Sequence, residues 1–77
     1  MTLEDFTILL QEHFPAASIQ CTGNLYHVTV HIIDVSFEGK KTLQRHQSIY
    51  RILKPLIDDQ TLHAVTLLTK TPAEAVL

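Results

Sequence analysis

The chain has no tryptophan, one cysteine, one methionine and two glycines in 77 residues, and each scarcity removes a class of protein. With Cys21 alone there is no intrachain disulfide framework and no zinc finger built on cysteines. Two glycines and three prolines exclude collagen-like and low-complexity chains. No apolar run approaches the ~20 residues that span a bilayer. The acidic opening, Met1-Thr2-Leu3-Glu4-Asp5, lacks the positive region of a secretory signal. Basic charge is not in excess either. Six Lys and Arg stand against eight Asp and Glu, a net charge of −2, so the bulk signal of a nucleic-acid binder is missing. These absences point to a soluble cytoplasmic protein with a reduced thiol and no membrane partner. What the chain does have is a hydrophobic content of 45% and five histidines. That content in so short a chain implies a single globular domain over 1–77.

Thr2 and Asp5 have the spacing of a capping box, and Leu3, Phe6, Leu9, Leu10 and Phe14 form one apolar stripe up to Pro15. A short alternating run over 18–21, a turn signal over 22–24 and a longer alternating run over 26–35 predict an antiparallel hairpin. A helix is expected over 42–54. Leu43, Ile49, Tyr50 and Leu53 lie on its apolar side, and Pro55 ends or kinks it. The β-rich run 62–69 then returns to the sheet, and a strand–helix–strand crossover makes it parallel to the second strand. Thr71-Pro72-Ala73-Glu74 opens a last, short helix. The order α-β-β-α-β-α predicts an α+β domain whose three-stranded mixed sheet carries its helices on one face.

The small net charge hides a segregation. Residues 36–54 hold five bases (Lys40, Lys41, Arg45, Arg51 and Lys54) and one acid, and the rest holds one base and seven acids. The second helix is therefore basic. That suits either a nucleic-acid surface or an ordinary solvated face. No aromatic residues interleave the bases, so a base-stacking platform is not supported.

Of the histidines, His13 falls where an imidazolium complements a helix C-terminus, His46 near the middle of the second helix's apolar stripe as a half-buried core histidine, and His31 on the open sheet face. His27 opens the second strand and His63 the third. Parallel strands begin at the same end of a sheet, and an antiparallel first strand finishes there. Cys21, His27 and His63 are thus expected to converge. Three donors fall short of a closed structural zinc site, so an open site completed by another molecule fits better. Thiolate and imidazole suit zinc, copper or an iron–sulfur cluster. No nucleophile, base and orienting residue stand together as a catalytic set, so the chain does not read as an enzyme.

Phe37-Glu38-Gly39-Lys40, Leu43-Gln44-Arg45-His46-Gln47, Tyr50-x-x-Leu53, Leu62-His63-Ala64-Val65 and Thr71-Pro72-Ala73-Glu74, in this order and spacing, resemble the signature of BolA-like proteins. The resemblance implies a KH-like α-β-β-α-β-α fold. It implies a monothiol glutaredoxin as partner and a bridging 2Fe–2S cluster shared with that partner and glutathione. His63 would be one ligand, with Cys21 or His27 from the hairpin region as the second. It implies also a DNA-binding regulatory activity through the basic helix, with Lys40, Lys41, Arg45, Arg51 and Lys54 as contacts. The isolated chain would be a monomer or weak dimer. Where the family commonly has Trp after Pro-x-Glu, this chain has Ala75. The KH Gly-x-x-Gly loop is replaced by Gly39-Lys40-Lys41-Thr42.

Overall fold

The structure, a computed structural model, describes residues 1–76. The first helix, α1 (Leu3–His13), begins where the sequence places it. The Thr2 hydroxyl accepts from the Asp5 N–H at 3.1 Å, and the Asp5 carboxylate accepts from the Thr2 N–H at 3.0 Å. Two otherwise unpaired helix-end donors are satisfied in this way. Phe6 and Leu10 are buried, and His13 Nδ1 bonds the Leu9 carbonyl at 3.0 Å.

Strands β1 (Ser18–Asn24) and β2 (His27–Ile33) pair antiparallel around a two-residue turn, Leu25-Tyr26. The 22–24 segment, expected as the turn, instead forms the last rungs of β1. Its turn chemistry acts one step later, through the Asn24 side chain. Asn24 Oδ1 accepts from the N–H groups of Tyr26 (2.9 Å) and His27 (3.0 Å). β2 is shorter than the expected 26–35. Asp34 caps a single 3₁₀ turn at Val35–Phe37, which drops Phe37 into the core beside Phe14, with ring centroids 5.9 Å apart.

The second helix, α2 (Thr42–Asp58), runs through Pro55 rather than ending near Lys54. Pro55 removes one donor, and the carbonyl that loses it belongs to the exposed Arg51, where water can serve. Leu56 and Ile57 meanwhile pack against the core, which rewards another turn. The apolar stripe is also rotated from its expected position. Leu43 is 68% exposed, and Arg45 is buried at 8%. Arg45 lies four and eight residues before Ile49 and Leu53, so helical geometry puts it on their line. Tyr50 sits at the stripe's exposed margin.

Strand β3 (Ala64–Lys70) pairs parallel to β2, giving the sheet order β1-β2-β3, and α3 (Pro72–Ala75) follows with its expected capping box. Val28, Val30 and Ile32 of β2 meet Phe6, Leu10, Ile49 and Leu53 in one core. The opposite sheet face bears His27, Thr29, His31 and Ile33, none fully buried. This is the expected α+β architecture. Among the described residues no helix is long and apolar enough to cross a membrane.

Candidate functional site

One end of the sheet gathers the hairpin tip and the start of β3. His27 is the first residue of β2 and pairs in register with Ala64. His63 immediately precedes β3, one residue out of step with His27 on the neighbouring strand. With strands ~4.8 Å apart and a rise of ~3.3 Å per residue, their Cα atoms lie within about 6 Å. Both side chains are exposed. The His63 N–H donates to the Leu25 carbonyl at 3.4 Å and the Ala64 N–H to the Tyr26 carbonyl at 3.1 Å, so the tip and the β3 entrance are tied together.

Cys21 is not part of this group. It pairs with Val30, three rungs up the hairpin from the Asn24–His27 pair, about 10 Å along the strand. Register partners share a face, so Cys21 points with Val30 towards the helices while His27 points to the open side. It is half-buried against the core, and burial pushes its thiol above the usual range despite a hydrogen bond with Thr7. The expected convergence of three donors therefore fails at Cys21. The strand reaches the site's end, but this residue is too early in it and half-buried. Among the described residues no group of three His, Cys, Asp or Glu side chains could hold a metal ion. His27 and His63 remain at this end of the sheet, but their one-residue offset sets them on opposite faces by strand alternation, with His63 on the side of Tyr26. The two imidazoles do not by themselves converge on one point.

Tyr26 lies in this region but carries no weight in the sequence reading. Its ring stacks on the His63 imidazole, with centroids 4.4 Å apart and planes inclined by 31°. Extending the parallel β2–β3 register back by one residue sets 26 opposite 63, which is the signal that could have found it.

The five basic residues do not form one surface. Arg45 is internal. Its Nε donates to the Lys40 carbonyl at 2.9 Å and its Nη1 to the Thr69 carbonyl at 3.3 Å and Glu74 Oε1 at 2.7 Å. The guanidinium lies 5.8 Å from the centroid of the Phe37 ring. It is therefore withdrawn from any nucleic-acid surface. The Arg45 guanidinium, first, and then the Thr71 N–H hold the Glu74 carboxyl down at about 2. Lys54 pairs with Asp58 at 3.0 Å. Lys40, Lys41 and Arg51 are exposed. Arg51 and Lys54 flank an open groove of about 360 Å³ along α2, with Tyr50 and Ile57.

The comparisons with known proteins agree with this architecture. The family model for BolA-like protein matches residues 3–74. A protein encoded in the rpoN–murA intergenic region of Acinetobacter guillouiae is 34% identical over 74 residues, covering 96% of this chain and 89% of the relative. Chloroplastic BOLA1 of Arabidopsis thaliana is 37% identical over 54 residues, 70% of this chain and 33% of that longer protein. BolA1 from Arabidopsis thaliana superposes with a TM-score of 0.81 at 25% identity, covering 94% of this chain and 93% of that one. A BolA homologue from Coxiella burnetii superposes at 0.83 with 24% identity, covering 100% and 99%. The family match over nearly the whole chain and the shared fold thus agree, and the chain belongs to the BolA-like family.

Proposed function

We propose that this protein is a non-enzymatic partner of a monothiol glutaredoxin in iron–sulfur cluster assembly or trafficking. In this reading His63 and a second donor ligate a 2Fe–2S cluster that the glutaredoxin and glutathione complete with thiolates. The cluster is cargo held between two proteins. The observation that carries the reading is the exposed His63 at the entrance to β3, with His27 beginning the adjacent strand. Imidazole is a competent ligand for such clusters. Two imidazoles cannot close a site alone, which suits a cluster shared across an interface. Between the two hairpin candidates the geometry favours His27. It is exposed at the same sheet end, although alternation turns it to the other face from His63, whereas Cys21 is half-buried three rungs away.

The test is anaerobic reconstitution with a monothiol glutaredoxin, glutathione, iron and sulfide, followed by size separation and visible absorption and circular dichroism. A mixed, coloured complex is expected. It should be lost or spectrally altered by His63→Ala, altered by His27→Ala, and unaffected by Cys21→Ser. A complex indifferent to His63→Ala, or no mixed complex, sinks the proposal. A change with Cys21→Ser but not with His27→Ala would transfer the second ligand to the thiol.

A further inference from the structure

We propose that Tyr26 is a positioning residue for His63, and that its ring holds the imidazole in the orientation in which it ligates. This rests on the reading of His63 as a cluster ligand. Tyr26 is 70% exposed and the imidazole it covers is exposed too, so the stack is not core packing. An aromatic ring left in water at a hairpin tip gains little unless it meets another ring, and here it meets one side chain.

The tip is built to hold that ring still. Gly23 adopts a φ of +90°, and a Cβ there would collide with the His27 carbonyl oxygen, so only glycine fits this rung of β1 beside the turn. The Asn24 carboxamide fixes the next turn by accepting from the Tyr26 and His27 N–H groups. Leu25 packs against the core, and the Leu25 and Tyr26 carbonyls receive the N–H groups of His63 and Ala64. Tyr26 and His63 thus have backbones locked to each other, and the ring contact is left to restrict the rotamer of His63.

The geometry is compatible with ligation. An imidazole coordinates through a nitrogen lone pair in the plane of the ring. A ring stacked on its face leaves the nitrogen edge free, whereas a hydrogen-bond acceptor at the same position would compete with the iron. Tyr26 can therefore order His63 without occupying its ligating atom. Most of the benefit is pre-organisation, since a side chain ordered before binding loses less freedom when the partner arrives.

The test compares Tyr26→Ala and Tyr26→Phe with wild type and His63→Ala. In the isolated protein, proton NMR reads the His63 ring resonances. The stack predicts that the Tyr26 ring current displaces them, that Tyr26→Ala removes the displacement, and that Tyr26→Phe keeps it. In the reconstituted complex, Tyr26→Ala should weaken formation about two- to tenfold and alter the visible circular dichroism, with Tyr26→Phe restoring both. The amide spectrum of each variant verifies the fold. If His63→Ala abolishes the complex and Tyr26→Ala leaves affinity and spectrum at wild-type values, the proposal is overturned. If the ring-current displacement is present but His63→Ala has no effect on the complex, the ligation reading fails and this inference falls with it. Absence of the displacement in wild type overturns the stack itself.

Discussion

Cys21 and Gly23 sit two positions apart on β1, and their different surroundings give them different tests. Cys21 is half-buried beneath α1, and desolvation penalises its thiolate. Its reaction with a disulfide reagent should therefore still be accelerating at pH values where an ordinary exposed cysteine has levelled off. Stopped-flow kinetics against pH measure this directly. A plateau near neutral pH would contradict the placement. Gly23 combines a φ of +90° with backbone at the position any side chain would need. Gly23→Ala should cost on the order of 2 kcal/mol in urea denaturation, from left-handed strain together with displacement of the His27 carbonyl. The sequence marks both residues without ranking them. A lone thiol next to a turn reads as a ligand until the register shows which way it faces, and register is a property of two strands.

At the scale of elements, Arg45 and Glu74 decide how α2, β3 and α3 are joined. A bidentate pair between a buried guanidinium and a half-exposed carboxylate ties the last short helix to the middle one. Four residues of helix cannot persist unaided, so this contact and the Thr71–Glu74 capping box define α3. The Glu74 carboxyl titrates at about 2 in the fold, below its ordinary value of 4.5. A depressed folded-state pKa contributes stability that is complete above the unfolded value. That contribution is lost as pH falls from about 4.5 towards about 2. Acid titration of stability should therefore show a falling limb in that window, and Glu74→Gln should flatten it. An unchanged limb in the variant would place the acid sensitivity elsewhere. The caps of α1 and α3 were legible because each is a local pattern of four residues. The inward turn of Arg45 was missed because a charged residue on an apolar line reads as surface until its partner, 29 residues on, is placed beside it. The run through Pro55 was missed because propensity argues only locally, while Leu56 and Ile57 answer to the core.

For the whole molecule, the charge segregation survives folding in reduced form. Five basic residues in one segment suggested five phosphate contacts. Arg45 is spent internally and Lys54 is paired with Asp58, which leaves Lys40, Lys41 and Arg51. Any affinity for duplex DNA should then follow a log–log salt slope no steeper than about −3, rather than the −4 to −5 of five contacts. Gel-shift titrations across salt concentrations check it, and a slope near −5 would bring Arg45 to the surface and release the exposed Lys54 from Asp58. The overall architecture was readable from the alternation of periods along the chain, since each element has a strong pattern of its own. The site was only half readable. Parallel pairing correctly brought the starts of β2 and β3 together, but which side chains meet there depends on a one-residue offset that no periodicity reveals.

The pairing of 26 and 27 with 63 and 64 also has a consequence for the order of assembly. The β1–β2 hairpin closes over two residues, and α1 and α2 form from neighbours, so these parts can take shape early. The alignment of β3 beside β2 closes a loop that includes all of α2, the step in this topology with the greatest entropic cost. Tyr26 and His63 meet only at that step. A chain emerging from the ribosome, or one caught partly folded, carries both residues but no site. A client that reads the His63 end of the sheet therefore engages only molecules that have finished folding.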